Sequence, residues 1–196
     1  MTVRIVLVSH AATATTRQAR FPGDDEPLDP RDAETATAGQ GVLRRVTTTY
    51  RGPEERCRQT ADALGLDAVA DPALADLDAG AWRGTTLAEL EASHPADLYA
   101  WLTDPGAAPH GGESVSALVA RVARWLNELP TGPARIAAVT HPAVVRAAVL
   151  HTLGAPPECF WRLDAGPLTQ TWLSRDGGRW RLRETGHPLI PRGRAS

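Results

Sequence analysis

The chain has no lysine: all 21 of its cationic side chains are arginines. A Walker-type phosphate loop and Schiff-base catalysis both depend on a lysine, so neither chemistry is available. Cysteine is nearly absent as well. Cys57 and Cys159 stand far apart without a Cys-x-x-Cys spacing, which argues against a thiolate metal cluster and for a reducing compartment, and each reads first as a buried thiol. No run approaches the ~20 apolar residues of a membrane span, and the apolar stretch from Met1 to Ser9 is too short for a signal peptide. A cytoplasmic protein without a membrane partner is expected. Neither charge dominates: 23 acidic and 21 basic residues, interspersed for a net charge of -2, create no field for nucleic acid. His94, His110, His151 and His187 lack metal-ligand spacing, so no metal and no cofactor is expected.

What is present is 196 residues, 42% of them hydrophobic and 22% charged. A chain of this size buries roughly 70% of its unfolded surface around one core and folds without disulfides or a structural metal. Val3 to Val8 is a short apolar, β-branched run of the kind buried on both faces of a parallel sheet, and it stops at Ser9-His10. Ala134 to Thr140 repeats the pattern and stops at His141, before Pro142 opens a helix through about Leu153. Ligands in open α/β sheets gather beyond the carboxyl ends of strands, so His10 and His141 are expected to be neighbours.

Between them the periodicity predicts helices over Arg31 to Arg45, Pro53 to Leu64, Thr86 to Ser93 and Ser114 to Leu129, with a strand over Val46 to Tyr50. Thr86 and Glu89 form a capping box, and Val115, Leu118, Val119, Val122, Trp125 and Leu126 make one apolar stripe. Thr169 to Ser174 and Arg179 to Thr185 flank Asp176-Gly177-Gly178, a hairpin signal. No repeat or linker divides the chain. One α/β domain over 1–187 with a loose tail over 188–196 is expected.

Five segments then follow in a set order: Ser9-His10-Ala11-Ala12-Thr13; Gly52-Pro53-Glu54-Glu55-Arg56-Cys57-Arg58-Gln59-Thr60-Ala61; Leu74 to Gly84 with Asp76, Gly80 and Trp82; Gly111-Gly112-Glu113-Ser114; and Val139-Thr140-His141. Together they resemble the histidine phosphatase superfamily, the phosphoglycerate-mutase-like proteins, from the first strand to about Arg146. The resemblance implies a three-layer α/β/α fold with a mostly parallel central sheet. It also implies hydrolysis of a small phosphorylated metabolite, α-ribazole phosphate or a sugar phosphate, through a phosphohistidine. By the same resemblance His10 is the nucleophile, His141 the second histidine of the phosphate pocket, Arg56 its arginine and Asp76 the general acid, usually a glutamate. Ser9, Thr13 and Glu113 are the further expected phosphate- or substrate-binding residues.

These residue types suit phosphoryl transfer, which consists mainly in holding the group in line and neutralising its oxygens. A neutral imidazole attacks phosphorus when one ring nitrogen is free and a backbone carbonyl holds the other, and a carboxylic acid protonates the leaving alkoxide. Four positions depart from the family pattern. Ser9-His10-Ala11 stands for Arg-His-Gly, removing one guanidinium; Gly52 stands for serine; Asp76 is one methylene short; Pro142 replaces a glycine and removes an N–H. Losing a preorganised donor costs on the order of 10²- to 10³-fold in rate, unless Arg17, Arg20 or Arg146 supplies it. The alternative reading is a degenerate or redirected member that binds a metabolite or catalyses a non-phosphatase reaction.

Several residues carry two readings. Glu113 is a substrate contact or a first-turn acid favoured by the helix dipole. Thr13 lines the pocket or ends a turn, and Arg20-Phe21-Pro22 covers the site or is an exposed connection. Trp82 is the tryptophan placed to touch a substrate, the others reading as packing residues. Homodimerisation rests on base rates for soluble enzymes alone.

Overall fold

The computed structural model describes residues 2–190. In chain order the elements are β1 (Val3–Ser9), α1 (Ala14–Arg17), α2 (Pro30–Ala38), β2 (Thr48–Arg51), α3 (Glu55–Ala63), β3 (Val69–Ala70), α4 (Leu87–Ser93), α5 (Pro95–Thr103), α6 (Val115–Glu128), β4 (Ala134–Thr140), α7 (Pro142–Leu153), β5 (Thr169–Asp176) and β6 (Arg179–Pro188). Three 3-10 turns, Pro72–Leu74, Gly80–Trp82 and Pro157–Arg162, punctuate the loops. The strands form one sheet in the order β3-β2-β4-β1-β5-β6. The first four are parallel, and β5 and β6 add an antiparallel edge.

The two central strands are buried on both faces, as their uninterrupted apolar runs require. Ile5, Leu7, Ile136 and Ala138 point to one side, where α6, α7 and Phe160 cover them. Val6, Val8, Ala137 and Val139 point to the other, against Cys57, Ala61 and Leu64 from α3 and its end. Each such side chain removed from water contributes about 1.5–3 kcal/mol. The stripe of α6 faces this core through Val115, Leu118, Val122, Trp125 and Leu126. Helices therefore lie on both faces, and the three-layer architecture follows.

Register places the site. Ser9 pairs with Thr140 across β1 and β4, so His10 and His141 leave adjacent strands at the same level. The His10 amide donates to Thr140 O at 2.8 Å and extends the ladder by one bond.

Four boundaries differ from expectation. The helix expected through Arg45 ends at Ala38, because Gly39 caps it and Gly41 takes φ +78°. The second strand is Thr48–Arg51, Val46 being held in a turn by its bond to Leu43 O. The helix expected from Pro53 starts at Glu55, leaving Glu54 extended at its N-cap position. The tail expected to be loose from 188 is held through Leu189, which is 2% exposed and donates its N–H to Leu168 O at 2.8 Å; 191–196 lie outside the described residues. The hairpin matches expectation, with Gly177 and Gly178 both at positive φ in its turn.

Candidate active site

His10 is 6% exposed, and its Nδ1 lies 2.7 Å from Ala11 O. That carbonyl takes the Nδ1 proton and leaves Nε2 with a free lone pair. Burial, then the charges of His141 and Arg56, push the His10 pKa down to about 3. The ring is therefore neutral at physiological pH. Its centre lies 5.1 Å from that of His141, edge to face.

His141 is fully buried, clasped by the start of α3 and by the loop that carries Asp76. Its Nδ1 lies 3.3 Å from both Asp76 Oδ2 and Arg56 Nε, while Nε2 lies 2.7 Å from Glu54 Oε2 and 3.3 Å from Cys57 Sγ. Burial alone would lower its pKa, but the Asp76 charge and the neighbouring Cys57 hold it well above the ordinary histidine value. The imidazole is thus held as a cation between two carboxylates.

Arg56 comes from the first turn of α3 and is 2% exposed. It donates from Nη2 to Asp76 Oδ2 at 2.8 Å and from Nη1 to Gly23 O at 2.7 Å. Burial favours the neutral form of Asp76, yet the charge and hydrogen bond of His141, and then Arg56, outweigh it and hold the carboxyl below the usual range. In the ligand-free protein Asp76 is ionised and spans the two cations.

The other expected residues sort differently. Thr13 lines the cavity, but its hydroxyl caps α1 through Thr16. Ser9 is fully buried, and its Oγ finds no hydrogen-bond partner among the described residues. It is not among the residues that line the cavity, where a phosphate donor was expected. Glu113 is likewise not a cavity residue. Its carboxylate holds Arg121 at 2.7 and 2.9 Å, and Arg121 in turn donates to the carbonyls of Ala73, Ala75 and Asp76. Glu113 therefore braces the loop that carries Asp76.

Trp82, expected to meet substrate, is 6% exposed and packs on Trp101 and His110. Trp101 and Trp161 line the cavity instead, 4.5 Å apart between ring centres. Of the three arginines considered as replacements at position 9, Arg17 pairs with Asp29 and Asp32, and Arg20 donates to Gly84 O. Arg146 lines the cavity, donates from Nε to Leu163 O at 2.8 Å and lies 5.7 Å from the ring centres of Phe160 and Trp161.

Glu54 was not singled out in the sequence, because it reads there as part of a helix start. Its carboxylate reaches His141 through Oε2 and accepts the Asp76 amide through Oε1 at 2.8 Å. Glu54, Cys57 and His141 offer three donor atoms within 4.8 Å of one another, the kinds of atom that hold a transition metal. With the Glu54 carboxylate 2.7 Å from His141 Nε2 and Asp76 Oδ2 3.3 Å from Nδ1, the arrangement favours an imidazolium. Among the described residues no helix is long and apolar enough to cross a membrane.

Comparison with known proteins finds relatives along most of the chain. The model of the histidine phosphatase superfamily (branch 1) matches residues 5–187. The bifunctional protein Rv2228c of Mycobacterium tuberculosis is 31% identical over 186 residues, covering 89% of this chain, which spans about half (51%) of that relative's length. A glucosyl-3-phosphoglycerate phosphatase of Mycolicibacterium vanbaalenii is 27% identical over 190 residues, covering 89% of this chain and 84% of the relative. The solved structure of mycobacterial glucosyl-3-phosphoglycerate phosphatase with VO3 superposes with a TM-score of 0.82 at 29% identity, over 92% of this chain and 96% of that one. With the family model matched from β1 into β6, this chain belongs to the histidine phosphatase superfamily, branch 1.

Proposed function

We propose that the chain hydrolyses a small phosphomonoester through a phosphohistidine at His10. The observation that carries this reading is that a neutral, backbone-oriented imidazole, Arg56 and Asp76 line one cavity, with His141 buried directly behind Asp76 and Arg56. Two cations bind the phosphoryl oxygens, and His10 Nε2 attacks phosphorus as the bond to the leaving oxygen breaks.

The ligand-free pairing of Asp76 supplies the acid. A phosphate dianion entering the site takes over Arg56 and His141, so the displaced carboxylate loses its cations and gains two negative charges beside it. Both changes raise its pKa. Asp76 takes a proton from solvent as the phosphate enters, passes it to the leaving alkoxide, and as carboxylate accepts a proton from the water that then cleaves the N–P bond. Inorganic phosphate leaves and His10 returns to neutral imidazole.

The cavity, about 760 Å³, supports a substrate with an uncharged ring beyond its phosphate. Trp161, 36% exposed, offers an indole face, and Arg146 and Asp164 stand on the same wall with donors and an acceptor for hydroxyls. Asp24, Asp25, Glu55, Asp78 and Asp164 add to the carboxylates at the catalytic end, against the guanidiniums of Arg20, Arg56, Arg83 and Arg146. This excess of negative charge disfavours a second anionic group on the substrate. A sugar phosphate or a nucleoside-like phosphate, such as α-ribazole phosphate, fits better than a phosphoglycerate, although one relative is named for a glycosylated phosphoglycerate.

The test is phosphate release from a panel of phosphomonoesters by native protein and His10→Ala. The expected result is activity on sugar and ribazole phosphates that disappears in His10→Ala. No release from any ester overturns the phosphatase reading in favour of a fold that binds without turnover.

A further inference from the structure

The first-motif arginine of the family pattern is replaced by Ser9, and the family serine before Pro53 is replaced by Gly52. The structure connects the second change to Glu54. A Cβ on Gly52 would lie 2.9 Å from Glu54 Oε2, from His141 Nε2 and from Leu74 O. No real Cβ comes that close to a neighbour, and one of the three atoms is backbone. A side chain at 52 would therefore force the Glu54 carboxylate, the His141 ring or the Leu74 carbonyl to shift. Glycine leaves the space, and Glu54 is extended at the N-cap position, so that its carboxylate reaches His141 instead of pointing along α3.

We propose that Glu54 is a positioning residue that holds His141 as an imidazolium, so that the pocket keeps a second fixed cation in place of the arginine missing at Ser9. Glu54 Oε2 meets His141 at Nε2, on the side of Cys57, whereas Asp76 and Arg56 meet it at Nδ1; all three of Glu54, Arg56 and Asp76 also line the cavity. Held at Nε2, Glu54 stays in place when an entering phosphate displaces Asp76. Its second oxygen holds the Asp76 amide at 2.8 Å, so the same side chain sets both the charge of the phosphate-binding histidine and the position of the acid loop. The groups facing His141 are Glu54, Arg56 and Cys57 from α3 and its cap, Asp76 from the loop, and His10 from the end of β1. Once Asp76 is displaced, Glu54 is the one carboxylate left among them. Unlike a guanidinium, this cation titrates, and phosphate affinity acquires a pH dependence that an arginine would not confer.

The inference rests on the phosphatase reading only for what the cation is used for; its own test needs no turnover. Inorganic phosphate is titrated against native protein, Glu54→Gln and Glu54→Asp from pH 5.5 to 8.5, while imidazole NMR follows His141, assigned by its loss in His141→Gln. In Glu54→Gln, which keeps the shape and loses the charge, phosphate should bind within twofold of native at pH 5.5 and at least tenfold more weakly at pH 8. The His141 titration should move down by about one pH unit or more. Glu54→Asp should recover part of both. A loss of equal size at every pH makes Glu54 a packing residue and overturns the proposal, as does a His141 titration that Glu54→Gln leaves unmoved. Absence of turnover on every ester, with these shifts intact, overturns the phosphatase reading alone.

Discussion

Asp76 and Arg56 are paired at 2.8 Å, so in the proposed reaction the guanidinium that binds phosphate is first held by the carboxylate that delivers the proton. On that proposal the acid is armed only when it is evicted. Asp76→Asn should therefore separate binding from chemistry. Inorganic phosphate should bind several-fold more tightly to the variant, because no internal anion competes. Turnover of alkyl phosphates should fall by about 10²-fold or more, within the range of general acid catalysis, with a much smaller loss on 4-nitrophenyl phosphate. Equal losses on both esters would remove Asp76 from the proton-donor role.

His10 should make the fold acid-sensitive. Its pKa falls from an ordinary 6.5 to about 3, so the folded protein refuses a proton that the unfolded chain accepts. Between those two values stability falls as pH falls, by about 1.4 kcal/mol per unit as an upper limit. The raised pKa of His141 acts in a different window: its contribution is fully present below 6.5 and is lost as pH rises through the folded value. Denaturant unfolding of native protein and His10→Gln at pH 6.5, 5.5 and 4.5 should show curves that diverge toward acid. Parallel curves would mean that the buried imidazole is protonated in the fold.

Ser9 does not line the cavity, and its buried Oγ lacks a partner among the described residues. Ser9→Ala should leave kcat/KM within about twofold and should raise stability by up to about 1 kcal/mol, since an unsatisfied hydroxyl is removed. Ser9→Arg should destabilise the protein by several kcal/mol through overpacking and an unpaired buried charge, rather than restore a phosphate ligand. A gain in activity with an unchanged melting curve would contradict this placement.

Arg121 ties Glu113 on one side to three carbonyls of the acid loop on the other. Arg121→Met should cost about 2–4 kcal/mol, leaving a carboxylate and carbonyls without their donor. Where the variant remains folded, the loss in kcat should be larger on alkyl esters than on 4-nitrophenyl phosphate, because a displaced Asp76 loop harms proton delivery first. Thermal melts and paired kinetics measure both effects.

The central part of this site is legible in the sequence because it depends on strand ends. Two apolar runs that each stop at a histidine specify both the sheet positions and the imidazoles they carry, and the parallel register brings His10 and His141 together. Arg56 is legible through the resemblance of the Gly52 to Ala61 segment to the family pattern, and it lies in the first turn of α3. Glu54 is not, because the space it occupies exists only where Gly52, Leu74 and His141 meet in the folded chain. Glu113 has a real polar partner, but nothing in the spacing distinguishes Arg121 from a phosphate as that partner. Trp82 and Trp161 exchange roles because the 3-10 turn over Pro157–Arg162 carries Trp161 to the cavity, a placement decided by tertiary packing.

The two imidazoles hang from β1 and β4, whose side chains from Ile5 to Val8 and from Ile136 to Val139 are almost wholly shielded from water. Such strands belong to the part of a protein whose amides exchange only when the whole molecule opens. Heat inactivation of this site should then coincide with cooperative melting, and the nucleophile should remain set in place while the aromatic wall around Phe21 and Trp161 breathes. On the proposed function the molecule would then divide its labour: a rigid floor for the phosphoryl group, and a more yielding rim for whatever the phosphate is attached to.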